Sequence, residues 1–469
     1  MKTQVCDVLV VGGGPGGYVA AIRAGQLGLK TILVEGQDLG GTCLNRGCIP
    51  SKALIYAASQ YASMMPSSDL DAMGIKVDTA PTLDFPQMVE WKNGVVSQLN
   101  SGVKGLLKRA KVNVITGWAS FNDAKNCVVK TADESIAISS EHVILATGSV
   151  ATELAALPFS DSIISSAEAL NMDAVPDSIA IVGGGYIGLE MGTALTKLGC
   201  KVTIVEGQEK LLALYDEELT KPVHNWLVGH GVAIKLNSSV VGAETTDAGT
   251  ELRYVNDAGK EDSLLVDKVL VTVGRRPNTR GWGIENMCLD MNGPYVNVDK
   301  MCRTAVKNVW AIGDLIGKPM LAHKASAQGE MVAEIIAGKR RSFDPVAIPA
   351  VCFTEPEIVA CGLSPSEAET LGYDVIVSRC SMQSIGKAHA MGAAKTGGFV
   401  RITARKDTHE ILGIHAVGKY ISELSGEFVL ALEMGARLED LAHTIHMHPT
   451  LGEATFEAAI AALGAGIHC

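Results

Sequence analysis

The sequence predicts an α/β chain in which two Rossmann-like dinucleotide-binding domains precede an α+β C-terminal domain. Three observations carry this. The pattern G-x-G-x-x-G occurs twice, each time between an apolar strand and a helix with small residues. Each copy closes on an acidic residue at the same spacing. From about Ala347 onward, short strand-like runs alternate with helical ones in a different rhythm.

In the first copy, Asp7 to Val11 is a nearly continuous apolar run, which suits a strand covered on both faces. Gly12, Gly14 and Gly17 follow, then a helix containing Ala20, Ala21 and Ala24, then the strand Thr31 to Val34, closing on Glu35. The glycines allow a tight turn, close approach to a pyrophosphate and close helix–strand packing. The acid lies near the roughly 20 positions expected of a ribose-binding carboxylate. In the second copy, Ser178 to Val182 leads into Gly183, Gly185 and Gly188, then a helix, then Val202 to Val205 closing on Glu206. Even the flanks agree, LKTILVEGQ against CKVTIVEGQ. This reads as the internal duplication of a whole nucleotide-binding unit, and the chain is expected to bind two dinucleotides.

Directly after the first copy comes GTCLNRGCIPSK, Gly41 to Lys52. Cys43 and Cys48 are too far apart on a regular helix for a disulfide, whose Cα atoms must lie within about 7 Å. A bond between them requires broken geometry near Asn45-Arg46-Gly47. Pro50 and a polar neighbour mark a helix start. A thiol there is biased toward the thiolate, so Cys48 is expected to be the anionic partner. Lys52, four residues on, shares its helix face.

Between the copies, Met88 to Lys108 has helical periodicity, and Val112 to Ile115 and His142 to Leu145 read as strands, the latter ending in Ala146-Thr147-Gly148. After the second copy, Lys268 to Val273 runs into Gly274-Arg275-Arg276-Pro277-Asn278, and Val309 to Ile312 into Gly313-Asp314. Asp314, past a strand's C-terminal end, is placed for a ligand hydroxyl or, equally, for capping a helix. In the last domain, Val375 to Val377 and Gly398 to Ile402 read as strands and Ser422 to Met434 as a helix. His443, His446 and His448 precede Glu453. Their spacing lacks the i,i+4 pairing and the nearby cysteine of common zinc sites, so no metal is expected. His448 and Glu453 across a proline turn suit an oriented general base, or simply a polar turn.

At 469 residues the chain exceeds one ordinary domain; roughly three or four are expected. A hydrophobic fraction of 47% with 19% charged residues is ample for cores, and the net charge of −11 argues against a nucleic-acid partner. Lys339-Arg340-Arg341, after Ala337-Gly338, reads as a solvated bend rather than a targeting signal. No run approaches 18 apolar residues, so no membrane contact is expected. Asp7 breaks any signal-peptide pattern, giving the expectation of a cytoplasmic protein, with a mature organellar matrix form as the alternative. Eleven cysteines, an odd number, suit a reducing compartment. Cys6, Cys127, Cys200, Cys288, Cys302, Cys352, Cys361 and Cys380 are then core or surface thiols.

Two nucleotide units and one cysteine pair suggest a flavin lying between a nicotinamide and a disulfide. The residues quoted above, with Met320 to Lys324 and His448-Pro449-Thr450, resemble the flavin-dependent pyridine nucleotide–disulfide oxidoreductases over essentially the whole chain. Within that family the likeness is to members that oxidise dihydrolipoyl groups with NAD. The resemblance implies that Cys43 meets the substrate, Cys48 meets the flavin, and His448, held by Glu453, is the base. It puts FAD on Gly12, Gly14, Gly17, Glu35, Gly41, Thr42, Lys52, Gly117, Thr147, Gly148, Asp314 and Ala322. It puts NAD on Gly183, Gly185, Tyr186, Ile187, Gly188, Glu190, Glu206, Val240 and Gly274. Gly117 and Val240 fall outside sharp motifs. The implied domains are 1–149 for FAD, 150–274 for NAD, 275–346 completing the FAD site, and 347–469 for dimerisation. The implied partners are a second copy of the chain, whose cysteines the His–Glu pair serves, and the lipoyl domain of 2-oxo acid dehydrogenase or glycine-cleavage complexes. Glutathione-reductase-like activity is the alternative. Glu206, which would repel a 2′-phosphate, and the absence of an arginine in Gly207-Gln208-Glu209 favour NAD and weigh against it. A mercuric reductase would need a C-terminal cysteine pair, and Cys469 stands alone. Arg46 departs from the small apolar residue usual in the family's cysteine motif.

Overall fold

The structure is a computed structural model and describes residues 2–469. The chain forms two compact units. The first takes the stretch to Leu154, Ile164–Ala174 and Val273–Asp344; the second takes Ala155–Ile163, Val175–Thr272 and Pro345–Cys469.

In the first unit, the strand Lys2–Val11 sits at the centre of a largely parallel sheet. Thr31–Glu35 and then Asn113–Thr116 lie to one side, and Ser135–Leu145 to the other. Val8 to Val11 are buried, as expected of strands covered by helices on both faces. Two antiparallel strands, Asn126–Lys130 and Trp118–Phe121, extend the sheet. Val309–Ala311 joins it beside Ser135–Leu145, with Ala311 opposite Leu145. The parallel strands therefore end together at Gly12, Glu35, Ala146 and Ile312, the edge where open α/β sheets bind ligands.

The helix Pro15–Gln26 packs on Ala322–Ile336 at backbone distance: a Cβ on Gly329 would lie 2.3 Å from the Gly16 carbonyl oxygen. Below that contact, Glu334 is buried and pairs with Arg23, Lys339 and Arg341. The basic cluster is thus more than a solvated bend. Two of its cations neutralise an interior carboxylate, whose pKa falls to about 2 through hydrogen bonds from Lys339 and Arg23. The helix Phe85–Arg109, capped by Asp84 accepting from the Gln87 N–H at 3.0 Å, covers the stretch with helical periodicity.

In the second unit, Ala233–Lys235, Lys201–Val205, Ser178–Val182 and Lys268–Val271 form a parallel array in that order. A three-stranded antiparallel sheet, Ser239–Thr246, Gly249–Val255 and Glu261–Val266, belongs to the same unit. A five-stranded antiparallel sheet runs Ala350–Cys352, Glu357–Gly362, Ile411–Gly418, Phe399–Arg405, Val375–Ser381. Helices Ser425–Glu433 and Glu453–Ala462 close its core around Val400, Ile414, Phe428 and Ala454. The first of these helices begins after a 3-10 turn, Ile421–Leu424, so the helix expected from Ser422 is shorter. Cys380 is not a thiol. It is bonded to Cys469 with Cα atoms 5.1 Å apart, because Glu453–Ala462 packs on Val375–Ser381 and carries the following residues back to that strand. Among the described residues, no helix is long and apolar enough to cross a membrane.

Candidate active site and nucleotide cradles

The two glycine loops share one geometry. Gly12 and Gly183 have φ of +102° and +104°, a region L side chains avoid. A Cβ on Gly17 would lie 1.8 Å from the Gly12 carbonyl oxygen, and one on Gly188 2.5 Å from that of Gly183. Each helix therefore lies against its loop closer than any side chain allows. Pro15–Gln26 and Tyr186–Lys197 start behind Gly14 and Gly185 with no side-chain cap and no acid in the first turn. Their N–H groups are open to an anion. Space adjoins both positions: nothing lies within 4 Å of a Cβ on Gly185, and only Gly41 Cα, at 4.0 Å, near one on Gly14. Uncapped N–H donors, room for backbone approach and a strand-end acid are what a dinucleotide's pyrophosphate and ribose require.

The acids repeat as faithfully. Glu35 accepts the Gly13 N–H at 2.6 Å and the Gln37 N–H at 2.8 Å. Glu206 accepts the Gly184 N–H at 2.5 Å and the Gln208 N–H at 2.7 Å. The Gly117 N–H donates to the Glu35 carbonyl at 2.9 Å, and the Ser238 N–H, two residues before Val240, to the Glu206 carbonyl at 2.9 Å. Gly117 and Val240 thus flank matching corners of the two loops. Gly274 lies in the first unit, at φ +121°, its carbonyl accepting from the Thr152 N–H at 3.1 Å.

The cysteine stretch is seated on the first loop. A Cβ on Gly41 would lie 2.6 Å from Gly14 Cα, and the Gly40 N–H donates to the Gly13 carbonyl at 2.8 Å. A short helix, Gly41–Arg46, ends at Gly47, whose φ of −146° and ψ of −110° break the spiral. The next helix, Cys48–Ser63, starts at Cys48 itself, two residues before Pro50. Asn45 braces the turn, donating to the Leu39 and Gly41 carbonyls at 2.9 and 3.0 Å. Cys43 and Cys48 stand as two thiols, half-buried and exposed respectively. A hydrogen bond to Cys48, and then burial, push the Cys43 thiol far above its usual range; Lys52 opposes them. Tyr18 lies beside Cys43, its hydroxyl pKa raised by burial and by that thiol. Arg46 ends the first short helix, where a cation meets unpaired carbonyls.

A hydrogen-bonded chain ties this turn to the strand ends. Arg275 donates to the Ser149 hydroxyl at 2.8 Å, the Ser149 carbonyl at 2.7 Å and Thr42 Oγ1 at 3.4 Å. Ser149 Oγ donates to Asp314 Oδ2 at 2.5 Å. Asp314 lies in a 3-10 turn, Gly313–Ile316, and caps no helix. Thr147 Oγ1 donates to the Asn278 carbonyl at 2.9 Å, and the Asn278 N–H to that of Gly148 at 2.9 Å. Ala322 opens a helix without a side-chain cap. Lys324, buried, donates to the Gly317 carbonyl at 2.8 Å. Burial lowers its pKa and Asp314 opposes this. Sequence reasoning missed Tyr18 and Ser149. Arg275 and Lys324 were visible only as parts of motifs, without assigned roles.

In the second unit, Tyr186 and Ile187 open the glycine helix. Glu190, 3% exposed, accepts the Phe353 N–H at 3.0 Å. His448 Nδ1 is 2.8 Å from Glu453 Oε1, while Glu453 Oε2 accepts the Thr450 N–H at 2.9 Å. Burial opposes ionisation of Glu453, but His448, Thr450 and His446 together hold its carboxyl below the usual range. The His448 side chain is 77% exposed. His446 differs: its ring nitrogens meet the Thr444 carbonyl at 2.9 Å and Glu427 at 2.8 Å. Among the described residues, no three His, Cys, Asp or Glu are grouped to hold a metal.

A two-cysteine turn seated on one nucleotide cradle, with a second cradle of the same build in the chain, defines a nucleotide-dependent disulfide oxidoreductase. The chain belongs to the pyridine nucleotide-disulphide oxidoreductase family, matching it over residues 6–329 and its dimerisation domain over 348–459. It is 54% identical over 463 residues to the dihydrolipoyl dehydrogenase of Pseudomonas aeruginosa, covering 98% of each chain. To that of Geobacillus stearothermophilus it is 44% identical, covering 98% of this chain and 97% of the other. Among solved structures, LpdA of Mycobacterium tuberculosis superposes with a TM-score of 0.89 at 24% identity, over 98% of this chain and 99% of that one. The HOCl-induced flavoprotein disulfide reductase RclA of Escherichia coli does so with 0.85 at 25% identity, over 97% and 99%.

Proposed function

We propose that the chain is a dihydrolipoyl dehydrogenase, oxidising dihydrolipoyl groups to lipoyl and reducing NAD+. The observation that carries this is the hydrogen-bonded Cys43–Cys48 pair seated on an uncapped glycine cradle. The near-full-length identity to the Pseudomonas dihydrolipoyl dehydrogenase supports it. FAD would be held by the first cradle with Glu35, Gly41, Thr42, Lys52, Gly117, Thr147, Gly148, Asp314 and Ala322. NAD would be held by the second, with Tyr186, Ile187, Glu190, Glu206 and Val240. Bound FAD supplies two-electron transfer between the cysteine pair and the nicotinamide. We divide the chain into FAD, NAD, central and dimerisation parts at residues 149, 274 and 346.

The chain's own residues perform the thiol chemistry. A dihydrolipoyl thiolate attacks Cys43 Sγ of the oxidised pair, the Cys43–Cys48 bond breaks, and Cys48 leaves as thiolate at its helix start. The second substrate thiol gives its proton to His448 of a second copy. It then attacks the substrate sulfur bound to Cys43, and Cys43 departs and takes up a proton. Glu453 fixes His448 Nδ1 as the protonated nitrogen, leaving Nε2 as the acceptor. The physiological substrate is the lipoyl domain of a 2-oxo acid dehydrogenase or glycine-cleavage complex, and the enzyme acts as a homodimer. The test is NAD+ reduction by free dihydrolipoamide, with glutathione disulfide and NADPH as the control pair. Turnover of the control pair alone would overturn the reading.

A further inference from the structure

The helix Glu453–Ala462 holds two carboxylates one turn apart. Glu453 holds His448. Glu457, itself 5% exposed, holds His468 in the same manner, with His468 Nδ1 2.7 Å from Oε1 and the His468 N–H donating to Oε2 at 3.3 Å. The residue after His468 is Cys469, exposed and bonded to Cys380, which is fully buried. The segment is built to fold back. Gly464 has φ +76°, and a Cβ on Gly466 would lie 2.6 Å from the Cys469 carbonyl oxygen.

We propose that Cys380 and Cys469 are a second thiol–disulfide exchange site, taking ring-closing dithiols, with Glu457 and His468 as positioning residues for the proton. It is separate from the Cys43–Cys48 turn and involves no nucleotide. Only the Cys469 end of the bond belongs to an exposed residue, so an incoming thiol attacks there. Its proton passes to His468, whose Nδ1 is engaged by Glu457 and whose side chain is 64% exposed. A new bond forms to Cys469 Sγ, the Cys380–Cys469 bond breaks, and Cys380 leaves as thiolate and takes a proton. The second thiol of the same molecule then attacks its own bound sulfur and releases Cys469. Two electrons and two protons pass from the dithiol to the protein, and the dithiol leaves as a cyclic disulfide. A monothiol stalls at the first step. The Glu457–His468 anchor keeps Cys469 beside Cys380, which returns and expels it; intramolecular attack wins by effective concentration. Only a second thiol on the attacking molecule competes.

The test uses the full-length flavin-loaded Cys43→Ser protein, which isolates the tail. It is treated natively with dithiothreitol or with glutathione at equal thiol concentration, quenched with N-ethylmaleimide and peptide-mapped. Dithiothreitol should convert the linked Cys380 and Cys469 peptides into two alkylated ones at least ~10-fold faster than glutathione. His468→Gln should slow this about tenfold near neutral pH and leave a rate that climbs with pH in step with the thiolate fraction of the reagent, with thermal stability unchanged. Glu457→Gln should reproduce that profile. The proposal is overturned if the two cysteines remain thiols after incubation with glutathione disulfide. Reduction only in denaturant, equal rates for the two reagents, or an unaltered His468→Gln profile also overturns it. Dihydrolipoamide–NAD+ turnover by the native sequence is a separate readout, so failure there and failure here are distinguishable.

Discussion

Replacing Glu453 by glutamine changes one atom and leaves no good arrangement. The carboxylate receives two N–H groups, from His448 Nδ1 at 2.8 Å and from Thr450 at 2.9 Å. A glutamine side chain has one accepting oxygen and one donating nitrogen. If the oxygen keeps Thr450, the amide N–H faces Nδ1 and selects the tautomer protonated at Nε2, which cannot act as a base. If the oxygen keeps His448, the Thr450 N–H faces another donor. Hydrogen bonds to charged groups are worth about 1.5–3 kcal/mol. At about 1.4 kcal/mol per factor of ten, Glu453→Gln should lower kcat for dihydrolipoamide-dependent NAD+ reduction roughly 10- to 150-fold. Flavin absorbance and the KM for NAD+ should be unchanged. The carboxyl pKa lies below its ordinary value, so Glu453 is charged throughout the neutral range and the deficit should persist across it. Activity within about threefold of the unmodified enzyme would refute the assignment of His448 as an oriented base.

Other expectations follow from the same geometry. Cys43→Ser should retain yellow flavin absorbance and lose dihydrolipoamide oxidation; residual NAD+ reduction above about one part in a hundred would contradict the role of Cys43. Gly188→Ala sets a Cβ 2.5 Å from the Gly183 carbonyl oxygen; it should keep its flavin yet raise the KM for NAD+ at least about tenfold, measured by steady-state kinetics. Glu334 has its pKa depressed from 4.5 to about 2, so its stabilisation is complete above pH 4.5 and fades as pH falls toward 2. Glu334→Gln should cost at most about 3 kcal/mol near neutral pH, and its melting-temperature deficit should shrink over that window; a deficit constant with pH would count against the cluster.

The fold was legible where chemistry repeats in sequence. Gly12 to Glu35 and Gly183 to Glu206 carry the whole loop geometry in local spacing, because a strand, a tight turn and a helix fix one another within thirty-odd residues. The break between Cys43 and Cys48 was legible from disulfide reach alone. The rest required distant segments to meet. Ser149, Arg275 and Thr42 form one chain of hydrogen bonds although no local pattern links them. The partner of Cys380 lies 89 residues away, and cysteine counts do not encode pairing. Lys339 and Arg341 look solvated until Glu334 is known to be interior. The fates of His446 and His448 were separable only by their acids, since Glu427 of His446 sits in a different helix from Glu453 of His448.

The discontinuity of the first unit bears on how a ribosome can deliver it. Its strand Ser135–Leu145 takes Val309–Ala311 as a neighbour, and between them the chain emits most of the parallel half of the second unit. At ~5–20 residues per second, the earlier strand waits roughly 10–30 s for that neighbour. During this interval one flank of the sheet is open, and Asp314 has not yet reached Ser149. Flavin capture should therefore be a late event in biogenesis, after residue 314 has emerged, while the Cys43–Cys48 turn is already out. The nascent cysteine pair spends that time without its nucleotide, which makes the order of synthesis, rather than the finished architecture, the period in which this turn is chemically most exposed.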